Sequence, residues 1–170
     1  MSFKKILVAL DDSPSAPKVF RHALDTAEHE RADLLIFHCT TMQRVSEAVP
    51  LMGTGIGIDM SSSKMMFELQ QQHLRKETER VEEMMKGYRQ QAEKRGVKVK
   101  TESKFGDPGS WICDVARSWD ADLIVLGRRG HRGFKEVFLG SVSNYVLHQA
   151  SCSVMVIQGH LPEEAEEKEN

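Results

Sequence analysis

Residues 5–10, Lys-Ile-Leu-Val-Ala-Leu, form a short apolar run in which polar and apolar residues do not alternate. Such a strand is buried on both faces, the situation of an inner strand in a parallel sheet covered by helices. Asp11-Asp12-Ser13-Pro14 break the run. A helix is expected from there to about His29, with Val19, Phe20, Ala23, Leu24 and Ala27 on one face. The pattern repeats down the chain. Further strands are expected at 33–39, 97–104, 122–126 and 153–157, and the alternation from Val97 to Lys104 marks that strand as half exposed and nearer an edge. Helices are expected from Asp107-Pro108 to about Trp119 and from Ser141 to about Gln149. Pro108 suits a first helical position, where its missing N–H leaves nothing unpaired, and Asp107 is a ready N-cap. Five strands separated by helical segments predict an α/β fold with one open parallel sheet and helices on both faces.

Two stretches stand outside this order. Thr41 to Met66 contains Gly53-Thr54-Gly55-Ile56-Gly57 and Ser61-Ser62-Ser63, and its composition predicts a flexible loop, longer than ordinary connections. The GxGxG within it is no dinucleotide fingerprint, because Ile58 occupies the sixth position and no buried strand feeds directly into it. A long helix is expected from about Phe67 to Arg95, with Leu74, Val81, Met84, Met85, Tyr88 and Ala92 as a stripe of core residues. Residues 161–170 are acidic without apolar anchors and are expected to be a disordered tail. The reading is one domain over 1–160 with a flexible insertion at about 41–66.

Composition narrows the function. A chain of 170 residues with 40% hydrophobic and 28% charged residues suits one compact domain with a sizeable core. The net charge of -2 argues against a nucleic-acid binder, and no aromatic stacking platform accompanies the basic residues. Cys39, Cys113 and Cys152 are widely spaced and are read as reduced thiols rather than metal ligands. Met1-Ser2-Phe3-Lys4-Lys5 leads straight into the first strand and no apolar run reaches membrane length, so a cytoplasmic protein is expected.

The chemistry concentrates in LIVLGRRGHRGFKEVFLGSVS, Leu123 to Ser143. A strand stops at Gly127, glycines follow at 130 and 133, and Gly140-Ser141 opens a helix. Glycines let a backbone approach an anion, and the first N–H groups of a helix point at it unpaired. Hydroxyls at Ser141 and Ser143 and cations at Arg128, Arg129, Arg132 and Lys135 favour phosphate over a plain tight turn. In open parallel sheets ligands bind beyond the carboxyl ends of the strands, where strand order reverses. Asp11, at the end of the first strand, is then placed to accept a sugar hydroxyl or to help hold a metal ion, whereas Asp12 and Ser13 serve equally well as turn and cap residues. No GxxxxGK[ST] and no G-x-S-x-G occurs, so neither a P-loop nucleoside triphosphatase nor an acyl-transfer elbow is present.

Gly127-x2-Gly130-x9-Gly140-Ser141 closely resembles the ATP-binding motif of the universal stress protein family. Lys5 to Ser13, Gly106-Asp107-Pro108, Asp122 to Gly127 and Gly140 to Ser143 resemble other segments of that family in the same order. The resemblance implies a Rossmann-like sheet of order 3-2-1-4-5 and cytoplasmic homodimers paired through the last strand, here Val154, Met155, Val156 and Ile157. It implies that Ala9, Leu10, Asp11 and Cys39 surround adenine and ribose, although an aliphatic residue is common at the position of Cys39. Gly127, Arg129, Gly130, Gly140, Ser141, Val142 and Ser143 would line the phosphates. The function so implied is an ATP-binding stress-response switch, with Mg2+ at Asp11. A slow Mg-dependent ATPase and a nucleotide-free dimeric interaction module are the alternatives.

Overall fold

The computed structural model describes residues 2–41, 60–128 and 139–158. Its sheet has five parallel strands, β1 (Lys5–Leu10), β2 (Asp33–Thr40), β3 (Val99–Phe105), β4 (Leu123–Gly127) and β5 (Ser153–Ile157), in the order β3-β2-β1-β4-β5. Among the described residues four helices connect them: α1 (Ala16–Glu30), α2 (Met60–Lys94), α3 (Pro108–Ser118) and α4 (Ser141–Gln149). This is the predicted α/β architecture, and β3 lies at an edge as its alternating sequence implied.

The unalternating strands are covered on both sides because successive side chains point to opposite faces. Ile6, Val8, Leu10, Leu34, Ile36, Leu123 and Val125 pack beneath α1 and α2. Leu7, Leu35, Phe37, Ile124 and Leu126 pack beneath α3 and α4. Apolar burial of this kind is the main favourable term, about 25 cal/mol per Å². At the far end of α2, Arg95 pairs with Asp25 at 2.6 Å and with Glu28, fastening it to α1.

The structure corrects the sequence reading at α2. This helix begins at Met60 rather than near Phe67, so residues 60–66, including Ser61-Ser62-Ser63, are helical and not loop. Serine is only about 0.5 kcal/mol less favourable than alanine inside a helix, and the strong helix formers that follow offset it. The apolar stripe also divides. Val81, Met85 and Ala92 are buried against the sheet, while Leu74 is 39% exposed on the part of the helix nearer its start. The rest of the expected insertion, 42–59, and the acidic tail lie outside the described residues.

Candidate functional site

Strand order reverses between β1 and β4. From β1 the chain passes to β2 on one side, and from β4 it passes to β5 on the other. Ala9 lies beside Leu126 in the parallel register, so Leu10 and Gly127, the last residues of the two strands, end side by side at the carboxyl edge. This is the switch point at which open α/β sheets accept ligands.

On the β4 side the chain closes on itself. The Gly140 N–H donates to Arg128 O at 2.9 Å, and the Arg128 N–H donates to Ile157 O at 2.8 Å. Ser143, only 3% exposed, donates its hydroxyl to Gly127 O at 2.7 Å, with Arg128 O at 3.3 Å. The Ser143 hydroxyl thereby braces the start of α4 to the end of β4. Gly140 is the N-cap of α4 and supplies no side-chain cap. The first helical hydrogen bond is made by the Asn144 N–H to Gly140 O, and no described residue accepts from the N–H groups of Ser141, Val142 or Ser143. Those amides carry the positive end of the helix dipole. Arg129 and Gly130, with the loop cations Arg132 and Lys135, lie outside the described residues.

On the β1 side, Asp11 makes a compact turn. Its Oδ1 accepts from the Ser13 N–H at 3.0 Å and the Ser13 hydroxyl at 2.5 Å, and no described residue engages its second oxygen. Asp12 points instead to α2, where its Oδ2 meets Arg80 Nη2 at 2.6 Å. Cys39, near the end of β2, is half buried on the same face as Ala9, with its thiol 3.6 Å from Gly106 O. Burial and then the Asp107 charge push that thiol up to about 11, so it stays protonated. Gly106 has φ +132°, and a Cβ there would stand 3.0 Å from Trp111 Nε1, so the rim beside Cys39 requires glycine.

Sequence reasoning missed His38. It is 2% exposed on β2, and its Nδ1 lies 2.9 Å from Leu10 O. Burial, partly offset by that carbonyl, lowers its pKa. The unfolded chain takes up a proton more readily, so the stability this group contributes is full above about pH 6.5 and is lost as the pH falls below it. The available signal was a polar residue inside the apolar run of 33–39.

The residues at this edge fit a phosphate-bearing ligand: amides on α4 with no described partner, a glycine cap without a Cβ, and a carboxylate oxygen across the strand-order reversal. For a divalent cation they offer less. Among the described residues no three His, Cys, Asp or Glu side chains cluster to hold one.

The model of the universal stress protein family matches residues 2–158. The chain belongs to the universal stress protein family. Universal stress protein Sll1388 of Synechocystis sp. is 38% identical over 159 residues, covering 93% of this chain and 99% of that protein. The solved structure of the hypothetical protein MJ0577 shares the fold with a TM-score of 0.74 and 23% identity, over 93% of this chain and 97% of that one. The universal stress protein of Archaeoglobus fulgidus, solved in complex with dAMP, has a TM-score of 0.59 and 22% identity, over 92% and 99% of the two chains. Among the described residues of this family member, no helix is long and apolar enough to cross a membrane.

Proposed function

We propose that this protein binds ATP between the ends of β1 and β4 and works as a nucleotide-dependent switch in the cytoplasm. The observation that carries the reading is the uncapped start of α4, where three successive N–H groups have no described partner and lie beyond the strand-order reversal. The dAMP held by the Archaeoglobus fulgidus protein supports the ligand class. Phosphate oxygens would accept from the N–H groups of Ser141 and Val142 and from the exposed Ser141 hydroxyl. Asp11 would accept a ribose hydroxyl or contribute one ligand to a phosphate-bound Mg2+, a cation that neutralises phosphate charge. Ala9 and Cys39 would flank adenine. Hydrogen bonds to a charged group are worth about 1.5–3 kcal/mol each, so a few reach the roughly 8 kcal/mol of micromolar affinity. In the same reading two copies pair through β5. That edge strand leaves Val154, Met155 and Val156 half buried, and an open apolar edge invites pairing.

Calorimetric titration with ATP, together with acid extraction of nucleotide from fresh protein, tests the site. Gly140 has φ -62° and ψ 155°, ordinary extended backbone, so Gly140→Val should fold normally while its side chain fills the phosphate space. Unchanged ATP affinity in that variant would overturn the assignment. Light scattering of the purified protein tests the dimer.

A further inference from the structure

We propose that the exposed stretch of α2 around Gln71 is a docking face for a second copy of this chain. The two helices cross antiparallel, with Phe67 beside the partner's Leu74 and Glu68 beside the partner's Arg75. The inference goes beyond the ATP-binding reading and stands without it.

The length of α2 leaves part of it without support. Its 35 residues make about 52 Å of helix, whereas β2 and β3 beneath it have eight and seven residues and span at most about 26 Å. The second half is the covered one. Val81, Met85 and Ala92 are buried, Tyr88 meets Phe20 of α1 with ring centroids 4.5 Å apart, and Arg80 meets Asp12 at 2.6 Å. From Met65 to Gln72 the described side chains are all exposed, and Phe67 is 60% exposed. A solvated helical stretch of about a dozen residues is marginal in water unless packing on one face supports it.

The surface of the stretch is complementary to itself. Residues seven apart on a helix lie within about 20° of one line, so Phe67 and Leu74 extend the stripe to which the buried Val81 belongs. Glu68 and Arg75 each follow these by one residue and line one flank of the stripe. Neither has an ion-pair partner among the described residues of its own chain. A two-fold axis at Gln71 sets two such helices antiparallel and brings the same flank of each together. Phe67 and the partner's Leu74 then stand within one residue of level, about 1.5 Å, as do Glu68 and the partner's Arg75. Each pair forms twice. A parallel arrangement would set Glu68 against the partner's Glu68, so charge selects the antiparallel one while Phe67 and Leu74 supply the apolar surface.

α2 packs on β2 and β3, on the side of the sheet away from β5. Pairing through α2 therefore does not compete with pairing through β5, and the two together join more than two copies. One helix pair is small beside the roughly 1,600 Å² of a standard interface, so the association is of the weak, concentration-dependent kind.

The test is sedimentation velocity of the full chain over a concentration series, with Phe67→Glu, Glu68→Arg and Arg75→Glu alongside the wild type. All three positions are exposed, so melting temperatures should stay near that of the wild type. The wild type should form a species that Phe67→Glu reduces to half its mass, whether what remains is a β5 dimer or a monomer. Glu68→Arg and Arg75→Glu should each weaken association about tenfold, because two attractive contacts become repulsive. An equal mixture of those two variants should regain it, since every flank contact then joins opposite charges. Identical sedimentation of the wild type and Phe67→Glu at every concentration overturns the interface. A mixture that associates no better than its components overturns the antiparallel pairing. Absence of ATP binding would leave all of these readouts unchanged.

Discussion

Helices α3 and α4 both start at the carboxyl edge of the sheet, one after β3 and the other after β4, and their first turns are built differently. At α3 the chain closes its own end: Pro108 has no N–H to satisfy, and the Asp107 carboxylate accepts from the Ser110 N–H at 2.8 Å. At α4 the cap is Gly140, no side chain reaches back, and the amides of Ser141, Val142 and Ser143 have no described partner. A helix end is ordinarily stabilised by one of the capping residue types, about 1 kcal/mol relative to alanine. A glycine cap forgoes an internal acceptor and leaves the amides open to an external anion. The difference separates a helix start that serves the fold from one that is available to a ligand.

Converting the second kind into the first is the sharpest way to break the contrast. Gly140→Asp should adopt the existing extended backbone and let its carboxylate accept from the N–H of Val142 or Ser143. Stability should rise by a few tenths of a kcal/mol, because aspartate exceeds glycine as a cap only by that amount. ATP affinity should fall about 100-fold or more, since the amides are occupied and a carboxylate meets the phosphates. Calorimetry and thermal melts read the two effects in opposite directions. A variant that binds ATP normally would mean that the α4 start is no more a ligand site than α3.

Asp11→Asn comes next in size. The amide oxygen keeps an acceptor for Ser13, so the turn should survive, but the charge and one acceptor are lost. ATP affinity should drop about tenfold, roughly 1.4 kcal/mol, with a near-normal melt. Wild-type affinity in this variant would leave the nucleotide held from the α4 side alone.

Ser143→Ala sharpens the picture within α4 itself. The hydroxyl spans to Gly127 O, so its removal should lower stability by about 1 kcal/mol, the net value of an ordinary hydrogen bond. Affinity should fall only a fewfold, through loosening of the turn. A loss as large as that of Gly140→Asp would show that the hydroxyl touches the ligand.

How much of this was readable beforehand depends on which physical signal each part left. The buried strands were legible because an unalternating apolar run such as Ile6 to Leu10 has few other solutions, and the Asp107-Pro108 start of α3 because both residue types serve a helix end. The strand order came from resemblance, since spacing does not say which strands are neighbours. The start of α2 was misread because Ser61-Ser62-Ser63 has loop-like composition while the favourable residues that carry the helix lie after it. In the site, Asp11 and Gly140 were visible as breaks in the pattern. His38 was not, because its partner is a backbone carbonyl 28 residues away, and the brace made by Ser143 was hidden for the same reason, its partner being 16 residues away.

The smallest expected effect on nucleotide binding belongs to the closed helix. Asp107→Ala should cost about 1 kcal/mol of stability, read as a lower melting temperature, because the Ser110 N–H loses its acceptor. ATP affinity should not change, since the cap of α3 faces its own backbone. A subtler consequence reaches Cys39. Burial is the larger cause holding that thiol near 11 and the Asp107 charge the smaller, so removing the charge moves the thiol down only slightly. Alkylation of Cys39 in the nucleotide-free variant should therefore quicken modestly, as a larger thiolate fraction reacts faster. An Asp107→Ala protein that loses ATP affinity along with stability would make the two helix starts functionally alike, and the distinction between a closed end and an open one would no longer identify the site.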